Sequence, residues 1–435
     1  VPELESPVDV AVMGAGLAAI AASIHLAKAG FNVLCVGPDF LDRQPVGESL
    51  DWSAPELLSA LGLPMEQLIA DGTATYKRHV TLKLADGSTQ HYVPSEWLGE
   101  SPFNVELRTM HVDRSRLNDT IHKIALDCGV TFVADRVASV DHDGKRVITA
   151  HTAGGMHITC PWFVDASGAA AAVLPKAFRL PFAEYGPHKT AMWTYFAAPD
   201  AIEGTTLYTQ DSRPPYMEWI WEIPIRHDVI SVGCVSTGNT IKAMRQQGLS
   251  IEEIFRTQLN RFPRFASLQQ GSPPTTPHVT SFRCRVHSKI AGPNWVVIGE
   301  AAAMVDPMTS NGVTAALRHA AEASRLFIDA RHKTRIPALA ASMYSLRVES
   351  MARFFNSGIE KVIYDWPIRN RIGVGNAGEV YTIPAWSMNA VYARIRPRGL
   401  FSTLLFGFVL SLFRASAALF HSICRQQAPA YEAQV

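Results

Sequence analysis

No surplus of charge marks this sequence, in which 40 Lys and Arg stand against 39 Asp and Glu, a formal +1 at pH 7. That balance removes the electrostatic footprint a nucleic-acid-binding protein needs. The six cysteines, at 35, 128, 160, 234, 284 and 424, are scattered with no C-x-x-C pair. Their spacing argues against a disulfide framework or a zinc site and suits a reducing compartment. No basic, apolar, small-residue leader stands before the first apolar run, so no secretory signal is expected and a cytoplasmic location is. Internal repeats and low-complexity tracts are missing too, and no metal site is expected. What remains is a chain of 435 residues, 47% hydrophobic, with room for two or three subdomains and a sizeable core.

The run Val8 to Ala19 is a short apolar strand entering Gly14-Ala15-Gly16 and a helix. Gly14 permits a tight turn, Gly16 lets the backbone approach a pyrophosphate, and Ala19 takes the third small position, where helix and strand pack closely. The helix start offers unpaired N–H groups and its positive dipole end to that anion. Asn32 to Val36 follows as a second strand and completes a βαβ unit. Gly37 then stands where an acid usually holds a ribose hydroxyl, with Asp39 or Asp42 as substitutes. The stretch Ile298 to Leu317 reads as an apolar strand, an acidic turn at Gly299-Glu300, a loop kinked at Asp306-Pro307, and a helix start at Ser310-Asn311-Gly312.

Between them, a hairpin is expected from Thr75 to Leu84, the turn Asp86-Gly87, and Gln90 to Val93. A helix capped by Asp113 follows, with Leu117, Ile121 and Ile124 at helical spacing. Strands near 130–132, 137–140 and 162–165 return to the dinucleotide domain. Thr190 to Phe196, Tyr216 to Pro224 and Val229 to Val235 suggest a separate antiparallel sheet roofing the cofactor. The fold class is α/β: a Rossmann-like dinucleotide domain at 1–74, 106–180 and 281–330, an antiparallel-sheet substrate domain at 75–105 and 181–280, and a helical C-terminal region at 331–435.

Gly14-Ala15-Gly16, Val46-Gly47-Glu48-Ser49-Leu50, Asp165-Ala166-Ser167-Gly168 and the 298–317 stretch together resemble the single-component FAD-dependent aromatic monooxygenases. Trp219-Ile220-Trp221-Glu222-Ile223-Pro224 matches the W-x-W-x-I-P pattern of their flavin-dependent halogenase branch. The resemblance implies FAD held by Gly14, Gly16, Ala19, Gly47, Ser49, Arg114, Gly299, Glu300, Asp306, Pro307, Ser310, Asn311 and Gly312. It implies catalytic roles for Lys77, Glu48 and His79, with Trp219 and Trp221 excluding water near the flavin. Each has a plainer reading: two indoles two residues apart share a strand face and could be core, Glu48 a solvated loop acid, and Lys77 a solvated lysine beside Arg78 and Lys83. On a continuous strand Thr75, Lys77, His79 and Thr81 would share one face.

Two departures separate the chain from a plain halogenase. Thr309 stands where tryptophan halogenases carry a glutamate, and the Gly-Glu-Ser-Leu loop continues as Asp51-Trp52-Ser53 rather than Leu-Pro. The pattern is more similar to halogenase-like flavoproteins that hydroxylate a tryptophan within a protein during tryptophylquinone maturation. The resemblance therefore implies an FAD monooxygenase that uses dioxygen, through a flavin hydroperoxide, on an electron-rich ring, an indole first. With no second dinucleotide fingerprint, the electrons would come from transient NAD(P)H or a separate flavin reductase. A halogenase and an FAD-dependent reductase or dehydrogenase of an isoprenoid are the alternatives. The apolar stretch Leu400 to Cys424, interrupted by Arg414, is expected first as a buried or groove-covering helix, next as one lying on a membrane or protein partner, and last as a span.

Overall fold

The computed structural model describes residues 7–38, 46–84, 86–93, 96, 99, 108–198, 203–209, 216–270, 276–395 and 397–426. Val10–Met13 is the middle strand of a five-stranded parallel sheet, ordered Trp295–Val297, Trp162–Asp165, Val10–Met13, Val33–Gly37, Thr131–Ala134. Val10–Met13, Val33–Gly37 and Trp162–Asp165 are fully buried, as expected for parallel strands covered on both faces, while the edge strand Thr131–Ala134 is partly exposed. The helices Leu17–Lys28, Arg114–Asp127 and Gly312–Ala330 lie together beside it. A three-stranded antiparallel sheet built on Val147–Thr152 is tied to it by Asn294, which accepts from Val147 N and donates to Val147 O. The strand expected near 137–140 belongs to this small sheet, as Val137–His142. The Asp113 cap forms as expected, accepting from Ser115 N and Arg116 N.

The second layer is an eight-stranded sheet in the order Ala303–Met304, His278–His287, Phe182–Ala197, Val229–Thr237, Trp219–Arg226, Thr205–Thr209, Val80–Leu84, Thr89–Tyr92. Only the pairing of Thr205–Thr209 with Val80–Leu84 is parallel. Side chains alternate across it. Trp193, Trp219, Trp221 and Ile223 pack with Phe354, Phe355, Tyr364 and Tyr381 of the C-terminal helices. Met192, Ile220, Val232 and Cys234 pack oppositely with Ile254, Phe255, Leu259 and Phe265.

Two expectations are corrected. Thr75 to Leu84 is not one strand: Ala74–Lys77 pairs with Thr109–Val112, the chain breaks at Arg78-His79, and only Val80–Leu84 enters the large sheet, with its hairpin partner Thr89–Tyr92. The break gives each half a different partner, so Lys77 and His79 share no continuous face. The C-terminal segment does form one helix, Leu400–Gln426, but most of its large apolar side chains are exposed rather than buried. By length and composition it could cross a membrane.

Candidate active site

At the N-terminus of Leu17–Lys28 the backbone leaves an open cradle. Gly14 has φ +122°, and a Cβ there would meet Ala166 O at 2.3 Å, so the turn closes only on glycine. At Gly16 a Cβ would meet nothing within 4 Å, and the helix start has no side-chain cap. Its free N–H groups therefore face space suited to a pyrophosphate. Ala19 is fully buried against the strand. Gly37 has its own reason: a Cβ would strike Ala15 N at 2.4 Å, so the glycine turn itself excludes a side chain. Asp39 and Asp42 lie outside the described residues. Gly299, φ +60°, packs its Cα side on Ala18, and Glu300 beside it is exposed. Buried Arg114 donates to the carbonyls of Val46 and Gly47 at 2.9 and 3.2 Å while its Nε has no hydrogen-bond partner. This orphan donor and the uncapped helix fit the adenosine and pyrophosphate end of FAD.

Three loops meet beyond that cradle. The Gly47 to Leu50 turn is stitched to Thr109–Val112 by Leu50 N to Met110 O and Val112 N to Glu48 O. Ser310, in the left-handed region at φ 55°, donates to Ser49 Oγ at 3.1 Å, and Ser49 contacts Thr205 Oγ1 at 2.8 Å. Buried His111 also reaches Thr205 Oγ1, at 3.0 Å, and burial holds its imidazole well below its usual pKa, hence neutral. Asn389 donates to Asp51 Oδ2 at 2.8 Å and lies 3.5 Å from Asn311 Oδ1, so a C-terminal helix closes the group. Pro307 opens the short turn before Ser310, and Gly312 starts the following helix.

Glu48 is 1% exposed and not a solvated loop acid. Tyr195 OH donates to one carboxylate oxygen at 3.1 Å and Ser231 Oγ to the other at 3.0 Å. Burial pushes its carboxyl up to about 7, against those hydroxyls and the field of Arg114. Trp221 Nε1 donates to Ser231 Oγ at 3.1 Å, so the tryptophan motif supports the acid through a shared hydroxyl. Gly233 makes room for that indole, since a Cβ there would lie 2.2 Å from Trp221.

Lys77 is likewise buried, 3% exposed. Its Nζ donates to Leu50 O at 2.9 Å and sits 5.4 Å from the Trp52 ring centre. Burial pulls its ammonium down to about 8, opposed by the charge of Asp51. Asp51 itself accepts from Ser53 and Asn389. Thr309 donates its hydroxyl to Asp306 O and offers no acid. His79 lies at the strand break, edge-on to His91 at 5.8 Å.

Asp306 is fully buried. Its side chain is ion-paired with Lys189 Nζ at 2.7 Å and accepts from Tyr364 OH at 2.8 Å, while Lys189 also binds Glu360 at 2.8 Å. Trp219 Nε1 donates to the same Tyr364 hydroxyl at 2.8 Å. Sequence reasoning missed Lys189, Tyr195, Ser231, His111 and Asn389. Each acts on a residue more than 60 positions away, for which no local motif exists.

The tryptophan halogenase family matches residues 99–355. A tryptophan 2-halogenase of Chondromyces crocatus is 27% identical over 73% of this chain, which spans 60% of that enzyme's length. A menaquinone reductase of Mycobacterium tuberculosis is 28% identical over 80% of this chain and 83% of its own. Among solved structures, a triple mutant of the flavin-dependent brominase Bmp2 superposes with a TM-score of 0.71 at 21% identity, covering 97% of this chain and 99% of that one. The halogenase CmlS gives 0.71 at 20% identity, covering 90% and 77%.

Proposed function

The chain belongs to the tryptophan halogenase family of flavin-dependent oxidoreductases, and on that premise we propose that it hydroxylates an electron-rich aromatic ring, with a tryptophan indole as substrate. Bound FAD, with dioxygen and two electrons from NAD(P)H or a reductase, supplies the oxidant. The protein supplies orientation, dryness and proton handling. The observation that carries the reading is the state of Lys77: buried, near pKa 8, and bonded to a carbonyl rather than a carboxylate. Such an amine is neutral in part at working pH and can take the proton a ring must lose after oxygen transfer. Glu48, with a carboxyl near 7, can hold a second proton at the Gly47 turn. The loop Asp51-Trp52, in place of Leu-Pro, supports a substrate held within a protein, as in tryptophylquinone maturation.

Halogenation is the second reading. Its support is the burial of Lys77 where halogenases place their lysine, with Asp51 near enough to raise its charge state. A product that gains oxygen in halide-free buffer, with the label drawn from dioxygen, is the expected outcome. Lys77→Ala should lower product formation about 100-fold or more while flavin content is unchanged. Halogen in the product, with no hydroxylated species, would reverse the order. Reduction of an isoprenoid with neither atom added would move the chain toward its reductase relatives.

A further inference from the structure

We propose that the outer face of the helix Leu400–Gln426 docks this protein onto a membrane surface carrying anionic lipid. The inference stands apart from the chemistry proposed above. On the inner face, Thr403, Phe406, Gly407 and Leu410 are buried, and a Cβ on Gly407 would lie 3.3 Å from Ser350 Oγ, so the helix is seated closely on Ala338–Gly358. On the outer face, Phe401, Leu405, Phe408, Leu412, Leu419 and Ile423 recur at helical spacing, and Phe401, Phe408 and Leu419 are 78%, 60% and 64% exposed. Large exposed apolar stripes of this kind mark interaction sites.

Polar side chains within the helix point toward a surface helix rather than a span. Arg414 Nε donates to Ser357 Oγ at 3.2 Å and His421 pairs with Asp365 at 2.7 Å. Both are turned onto the protein, leaving the outer stripe free of charge, and a span would have to strip the helix from those partners. The charge around it selects the lipid. Between Glu379 and Glu432 the chain has no acid and five arginines, at 394, 396, 398, 414 and 425. Arg398 and Arg425 flank the stripe at its two ends and are exposed. An apolar face framed by cations is the pattern of a helix lying in the headgroup layer of an anionic leaflet.

The test is flotation of the full, flavin-loaded chain with vesicles of phosphatidylcholine, with or without one quarter phosphatidylglycerol. The protein should float with the anionic vesicles and several-fold less with the neutral ones. The combined variant Phe401→Ser, Phe408→Ser, Leu412→Ser should lose at least tenfold of that binding at unchanged flavin content. Should that variant fold poorly, Phe408→Cys carrying an environment-sensitive fluorophore should blue-shift on anionic vesicles, relative to the parent protein labelled in the same way. Absence of flotation and of the blue shift overturns the proposal, as does equal binding to neutral vesicles. A dimer, or a complex with a protein substrate, that the serine variant abolishes without any lipid binding assigns the face to that partner instead.

Discussion

Two groups of buried carboxylates flank the candidate flavin site, and they are neutralised in opposite ways. Around Asp306 and Glu360 the compensation is a full charge, the Lys189 ammonium, held between them at 2.7 and 2.8 Å. Burial alone would pull that ammonium down, but Asp306 and Glu360 raise it above its ordinary value, so it stays cationic. Around Glu48 the direct partners are hydroxyls, Tyr195 and Ser231, with Arg114 acting only at a distance. Comparable burial of Asp306 and Glu48 thus yields a fixed ion pair in one place and a proton that can come and go near neutrality in the other. The first arrangement fixes charge in place; the second leaves a group able to exchange a proton near neutral pH.

Breaking the charged group should have the largest effect. Lys189→Met leaves two buried carboxylates without a cation, a loss of about 3 to 5 kcal/mol. Chemical denaturation should show that loss, while Lys189→Met combined with Asp306→Asn and Glu360→Gln should recover much of it. A single variant as stable as the parent would mean the network contributes little.

Removing the proton at Glu48 should cost activity rather than fold. Glu48→Gln should lower turnover by roughly 100- to 10,000-fold and remove a rate transition near pH 7. Its stability effect has a definite sign. Between the ordinary value of 4.5 and about 7 the folded chain holds a proton the unfolded chain has released, so parent stability falls as pH rises through that window. Glu48→Gln should flatten that fall, which thermal melts across pH 4 to 8 would read. Persistence of the same slope would place the titrating group elsewhere.

The smallest change sharpens the contrast further. Tyr195→Phe removes one donor from the carboxylate and should raise the pH of the rate transition by about half a unit to one unit, as expected for loss of a hydrogen bond of about 1 kcal/mol. An unmoved transition would separate Tyr195 from the acid's titration.

Much of the frame was legible in residue order because its causes are local. Trp162–Asp165 emerged at the expected place because an apolar run bounded by turn residues can hardly form anything else, and Asp113 caps its helix through neighbours two and three residues on. Gly14 revealed the cradle because its positive φ favours glycine from residue order alone, whereas Gly16, where a Cβ would meet nothing, leaves the helix start open. Lys77 was picked by type and position, but its burial was not readable, since that depends on Leu50, Trp52 and Thr109–Val112 closing over it. The break at Arg78-His79 escaped notice because a strand's alternation does not say which sheet it joins.

By itself, then, the sequence determined the dinucleotide turn, the Asp113 helix cap, the alternation of the large sheet and the arginine-framed apolar tail, since each rests on steric or hydropathic rules acting over a few residues. Tertiary structure alone decided that Glu48 would meet Tyr195 and Ser231, that Asp306 would face Lys189, and that Arg414 and His421 of the tail would turn inward. Those pairings join positions dozens to nearly two hundred residues apart, and only the packing of one layer on another brings them within a hydrogen bond's reach.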